Sequence, residues 1–286
     1  MLTSPVAEHG EGVFWDPAWP GPRWVDMLRG DVLEFDEGTG IISRMHLDAS
    51  HVVLVRPRQS GGMVVVTATD VHLFDPSSDG DIASLSVGPV LRGPALVPGE
   101  RFNEGTVDPD GRLLLGTLRK PRVPGGASLY RLEIERCPRL VEGLTLCNGA
   151  AFDHIGDLFH VDSAQGVIRR FAYASGDLSL EGSVFVDVGE LDGEPDGMCI
   201  DADGGLWVAM YGGGVVHRYS AEGEITHIVR VPVSQPTACC IAPDGSGRLL
   251  ISTSSLGVPE ERVGGAGALF WADVNVAPAP THLVAL

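Results

Sequence analysis

A short apolar unit recurs along this chain and constrains its fold more than any other feature. Its clearest copy is Asp196-Gly-Met-Cys-Ile-Asp201, a turn at Asp203-Gly204-Gly205, and the run Leu206 to Met210. Two short apolar runs around an Asp/Gly turn read as a β-hairpin. Further copies start at Glu11, His51, Asn103, Asn148 and Thr237, each followed by an apolar run, a turn and a second run. The starts lie roughly 40 to 50 residues apart, the period of a propeller blade. Two more candidate strands follow the hairpin, at Val32–Asp36 and Ile41–Leu47 in the first unit and at Val215–Tyr219 and Glu224–Val231 in the fifth. The repeat predicts an all-β, six-bladed β-propeller with four antiparallel strands per blade. It also predicts one domain over residues 1–286, because no segment is left over for a second.

Composition agrees with that reading. The 38 glycines and 20 prolines are spread along the whole chain, so they punctuate strands rather than mark a disordered tail. The formal charge of −18 repels nucleic acid and anionic lipid surfaces as partners. No apolar run approaches a membrane span, and the N-terminus carries no signal pattern. Five cysteines without paired spacing are read as reduced thiols, which makes the expected location cytoplasmic. The expected assembly is a monomer or small homo-oligomer.

In a propeller the first strand of each blade lines the central channel. The polar residues that open the units, remote in sequence, should therefore meet near the axis at one end. Asn-Gly and Asp-Gly are ordinary turn dipeptides, but turns do not ask for Glu11, Asn103, Asn148 and Asp196 in one register. Two carboxylates about 4 Å apart repel by roughly 4 kcal/mol at an effective dielectric near 20. Either one is protonated or a cation sits between them. Carboxylates with amide oxygens suit a hard divalent ion, Ca²⁺ first, with Mg²⁺, Mn²⁺ or Zn²⁺ as alternatives. Arg101, two residues before Asn103, can grip a substrate oxygen from the same mouth. His51 is expected to be a hydrogen-bonded structural histidine.

Other motifs fail. Asp108-x-Asp110-Gly and Asp201-x-Asp203-Gly lack the Glu that closes an EF-hand, so both are read as hairpin turns. No G-x-S-x-G, H-E-x-x-H or P-loop pattern is present.

Four segments in order resemble the regucalcin (senescence marker protein), gluconolactonase and luciferin-regenerating enzyme family: Glu11-Gly-x-x-Trp15, Arg101 to Gly111, Asn148-Gly149, and Pro195 to Ala209. The resemblance runs from about Glu11 to about Thr253. It implies a six-bladed propeller with one divalent metal in the channel, held by Glu11, Asn148 and Asp196. It implies Asp196 as general base, and Arg101, Asn103 and Glu104 as substrate contacts. The implied activity is metal-dependent opening of a lactone ring. Hydrolysis of another ester or phosphotriester, or a non-catalytic calcium-binding propeller, are the alternatives. Two departures stand out. Glu104 replaces an Asp of the regucalcin-like members. Arg119-Lys120 stands where aldonolactonases carry an acidic residue that contacts sugar hydroxyls. A carboxylate accepts hydrogen bonds whereas Arg and Lys only donate, which leaves room for a lactone with an acidic substituent. The competing reading makes both residues exposed and uninvolved. The final blade is expected to be completed by His282 to Leu286, or shared between the two chain ends.

Overall fold

A computed structural model describes residues 1–76, 82, 85–174, 177–178, 182–189, 193–259 and 264–286. They form a six-bladed β-propeller. The blades are β1–β4 (Gly10–Phe14, Arg23–Asp26, Asp31–Phe35, Ile42–His46), β5–β8 (Val52–Pro57, Met63–Thr67, Asp70–Asp75, Ser86–Arg92) and β9–β12 (Glu100–Val107, Leu113–Arg119, Ala127–Leu132, Arg139–Leu144). Blade four consists of β13, β14, β15 and β18 (Cys147–Phe152, Leu158–Asp162, Val167–Phe171, Ser183–Asp187), with a two-stranded ribbon, β16–β17 (Tyr173–Ala174, Asp177–Leu178), inserted before its last strand. Blade five is β19–β22 (Glu194–Ile200, Leu206–Tyr211, Val215–Tyr219, Ile225–Arg230), and blade six contributes β23–β25 (Pro236–Ile241, Arg248–Thr253, Phe270–Asp273). All neighbouring strands within a blade pair antiparallel. Among the described residues no helix is long and apolar enough to cross a membrane.

The sequence pattern follows from where each strand sits. Second strands such as Met63–Thr67 are covered on both faces and read as continuous apolar runs. Outer strands such as Ile225–Arg230 are largely exposed and lose that signal. The core lies between blades rather than at one centre. Trp24, Val25, Val52 and Met63 pack between blades one and two, and Trp207, Val216, Cys239 and Ile251 between blades five and six.

Of the two expected forms of ring closure, the first is not what is found. His282–Leu286 does not complete blade six. Ala202 N–H instead donates to Ala277 O at 2.8 Å, Val284 pairs with Arg58 in parallel, and Ala285 N–H reaches Gly111 O at 2.8 Å. The C-terminal segment thus leaves blade six and crosses to blades five, two and three. Val284 is fully buried there, which anchors the crossing. The N-terminus meets blade six instead: Leu2 N–H donates to Leu269 O at 2.8 Å, and Val6 and Ala7 N–H groups donate to Gly267 O. His9 bridges antiparallel to Ser254, joining blade one to blade six.

Five of the six polar opening residues lie not ahead of the innermost strands but inside them, whereas His51 precedes its strand. Each innermost strand carries a β-bulge at one level. Asn103 is passed over between Phe102, opposite Thr117, and Glu104, opposite Gly116. Asp196-Gly197 faces the single step between Met210 and Val208, and Asn148-Gly149 and Thr237 occupy the same irregularity in their blades. In blade one the bulge follows Glu11 directly, at Gly12, whose φ is +60°. A bulge turns a side chain out of the alternation of its strand and bends the strand. The bulges of blades one, three, four and five turn Glu11, Asn103, Asn148 and Asp196 towards the same end of the channel, whereas that of blade two falls at Val53, beyond His51.

The glycines after Asn148 and Asp196 are fixed by crowding, not by a turn. A Cβ on Gly149 would sit 2.4 Å from Asp196 O, and one on Gly197 would sit 2.5 Å from the Ala238 Cβ. Neighbouring innermost strands touch backbone to backbone at these points. Gly149→Ala is expected to cost about 1–3 kcal/mol, read as a lower urea midpoint. An unchanged midpoint would show that blades four and five separate more easily than this contact implies.

Candidate active site

The bulges open into a cavity of about 180 Å³ at one end of the channel. Glu11, Asn103, Asn148 and Asp196 line it, with Arg101 beside them. Four of the six opening residues therefore meet, from blades one, three, four and five. Thr237 does not line it: its hydroxyl donates to Gly10 O at 2.6 Å and pairs with Ser252 Oγ at 2.8 Å, tying blade six to blade one. His51 does not line it either, although Arg101 and Lys120 act electrostatically on its ring. Its Nδ1 has no hydrogen-bond partner, so the hydrogen-bonded histidine expected from sequence is not what this nitrogen shows. Glu104 is buried beside the ring rather than in the cavity wall. Its Oε1 accepts from Gly105 N–H at 2.9 Å and lies 3.8 Å from Arg56 Nη2.

A hydrogen-bond chain runs across three blades and fixes the amides. Arg101 Nη1 donates to Asn103 Oδ1 at 3.0 Å, and Asn103 Nδ2 donates to Asn148 Oδ1 at 2.7 Å and to Cys147 O at 2.8 Å. Asn148 Nδ2 donates to Ser163 Oγ at 2.7 Å, whose hydroxyl donates onward to Pro195 O at 2.6 Å. Because Ser163 spends its proton on a carbonyl, it can only accept from Asn148. The chain therefore settles both amide orientations.

The carboxylates are different. Glu11 Oε2 and Asp196 Oδ1 are buried and have no hydrogen-bond partner. Burial raises the pKa of Glu11 well above the ordinary carboxylate range, and the charges of Asp196 and Glu104 push it further. Burial likewise raises Asp196, with Glu104 and Glu194 adding to it. Glu11 Oε1 lies 3.5 Å from His9 Nε2, but His9 gives it no positive charge at neutral pH. Burial, then Arg101, lower the His9 pKa to about 4, while Nδ1 meets Ser254 Oγ at 2.7 Å. Desolvation lowers Arg101 to about 10, opposed by Glu11, so it stays a cation. Two unpartnered acidic oxygens buried in one polar cavity form a place where positive charge is favoured.

His9, Arg122, Glu194 and Tyr211 also line the cavity and were not assigned to it from sequence. His9 precedes Glu11 by two residues, as Arg101 precedes Asn103. Alternation along a strand puts such pairs on one face, and that signal was legible. Ser163 directly follows the second strand of its blade, as Ser254 does in blade six. The Arg119-Lys120 pair divides: Lys120 lines the cavity, whereas Arg119 Nε donates to Pro98 O at 3.3 Å outside it.

Residues 9–255 match the family described as SMP-30/Gluconolactonase/LRE-like region. The chain belongs to this family. Regucalcin of Danio rerio is 30% identical over 262 residues, covering 89% of this chain and 85% of that protein. The solved regucalcin of Agrobacterium tumefaciens superposes with a TM-score of 0.88 at 23% identity, covering 100% of this chain and 96% of that one. A gluconolactonase of Xanthomonas campestris superposes at 0.69 with 24% identity, covering 97% and 88%. The bulged ring is thus set in a fold shared across the family.

Proposed function

We propose that the protein is a lactonase dependent on a divalent cation. The observation that carries this reading is the pair of buried, unpartnered carboxylate oxygens on Glu11 and Asp196, facing one cavity with Asn148. Membership of a family that includes gluconolactonase supports the reaction class, and the Agrobacterium relative is described as a calcium-binding protein. The donor set fits a hard divalent ion: two carboxylates and an amide oxygen, all oxygen, with one oxygen of each acid left without a partner. Glu11, Asn148 and Asp196 would hold it. When bound there, such an ion supplies Lewis acidity toward a carbonyl and lowers the pKa of water.

The chain's own residues do the rest. Arg101, braced by Asn103, donates to the oxygen of the lactone carbonyl as negative charge develops on it. Asp196 accepts the proton of the attacking water, as general base. The ring C–O bond then breaks, and the departing ring oxygen takes that proton to leave a hydroxy acid. The bulge holds Asp196 Oδ1 free of other donors, which leaves that oxygen open to the proton of the water.

Hydrolysis of gluconolactone followed with a pH indicator tests the reading, with EDTA and with added Ca²⁺, Zn²⁺ or Mn²⁺. Chelation is expected to remove at least about 99% of the rate, and one of the cations to restore it. Full turnover in EDTA would remove the cation from the scheme.

A further inference from the structure

Lys120 is the one lysine among 286 residues; the other nineteen of the twenty basic side chains are arginine. Several of the arginines serve structure. Arg112 clamps Asp108, Arg170 clamps Asp153 and Asp157, Arg218 clamps Asp201, and Arg248 clamps Asp244, each next to a hairpin turn. Lys120 does none of this. It follows β10, its backbone N–H is bonded to Gly99 O at 2.8 Å, and its side chain lines the cavity. Among the described residues its ammonium has no ion pair. The other cavity cations are engaged: Arg122 Nη2 lies 3.5 Å from Glu194, and Arg101 donates to Asn103 and Phe102 O and faces Glu11. One uncompensated positive charge thus stands at the mouth of the cavity, on a protein of net charge −18 that otherwise repels anions.

We propose that the natural substrate is a lactone bearing one ionised carboxylate, the lactone of a dicarboxylic sugar acid, and that Lys120 is the specificity-determining residue that binds this carboxylate. The inference rests on the lactonase reading. One free ammonium balances one negative charge, which favours a carboxylate over a phosphate ester of nearly twice that charge. A lysine suits this role, because its charge sits on a long flexible stem and can meet a substituent remote from the carbonyl.

The test compares wild type with Lys120→Met and Lys120→Glu, full chain and cation-loaded. The substrates are gluconolactone, glucarolactone (in which the terminal carbon is oxidised to a carboxylate) and gluconolactone phosphorylated at that carbon. Lys120→Met is expected to lose about 10- to 100-fold in kcat/KM on glucarolactone, mainly through KM. On gluconolactone it should stay within about twofold of wild type, and Lys120→Glu should reverse the preference. Equal effects on both lactones, or a larger effect on the phosphorylated one, overturn the assignment. A second readout needs no turnover. Acetylation of Lys120 by an N-hydroxysuccinimide ester, followed by mass spectrometry, is expected to be slowed by glucarate and not by glucitol, which has no carboxylate. Equal protection overturns the proposal. If wild type hydrolyses no lactone at all, the lactonase reading falls, and the protection experiment still decides whether Lys120 binds carboxylates.

Discussion

Asp196→Asn is expected to lower lactone turnover by about three orders of magnitude or more, while leaving a folded propeller that is more stable than wild type in EDTA. Both effects come from the same carboxylate. Asp196 is buried, its Oδ1 has no donor, and Glu104 and Glu194 oppose its ionisation. An amide of the same shape removes the charge and keeps the packing in the bulge. Without cation the folded state should gain on the order of 1–2 kcal/mol, as at other sites where function holds strained charge. With cation the variant has neither a proton acceptor nor a full ligand set. Glu11→Gln separates the two losses. It weakens the ligand set but keeps Asp196 as base, so excess cation should partly restore its rate, whereas Asp196→Asn should stay inactive. Rates with rising cation concentration, beside thermal scans in EDTA, read both outcomes. Wild-type turnover by Asp196→Asn would remove Asp196 from the chemistry.

The blades were legible because their inner strands are covered on both sides. Leu206–Met210 and Met63–Thr67 are continuous apolar runs for that reason, and the structure returns both nearly to the residue. The convergence of Glu11, Asn103, Asn148 and Asp196 was legible as a register of polar residues in a repeat. The device that produces it was not. Asn148-Gly149 and Asp196-Gly197 look like turn dipeptides, yet they are bulges whose glycines admit the neighbouring strand. Turn and bulge use the same residues, and only the partner across the blade boundary tells them apart. The place of the C-terminal tail was not legible for a related reason. The tail at Ala277–Leu286 is held largely through backbone hydrogen bonds to blades five, two and three, which leave little trace in side-chain pattern. The resemblance raised Lys120 together with Arg119, and only the fold separates them, with Lys120 in the cavity wall and Arg119 outside it.

Cation binding is expected to raise the melting temperature by roughly 8 °C or more at a thousandfold excess over Kd, from about 4 kcal/mol of linkage, and the rise should grow with pH. Burial raises the folded-state pKa values of Glu11 and Asp196, so the folded protein binds these protons more tightly than the unfolded chain. Their contribution to stability is then fully present below the unfolded value of about 4. It is lost as pH rises through the folded-state values. Asp201 acts with the opposite sign. Burial opposes its ionisation, but hydrogen bonds from Arg218, Gly205 N–H and Trp207 outweigh that and hold its pKa low. Its contribution is present above the unfolded value and fails only as pH falls below about 4. Between these windows the cation-free protein should be most stable, with stability declining on the alkaline side. A bound cation replaces the protons on Glu11 and Asp196 and cancels that decline. Thermal scans from about pH 5 to 8, with EDTA and with excess Ca²⁺, should therefore diverge as pH rises. In Glu11→Gln the divergence should shrink, because one of the two acids no longer titrates. Parallel curves would mean that the cation binds elsewhere, and that the unpartnered oxygens at the hub are satisfied by protons alone.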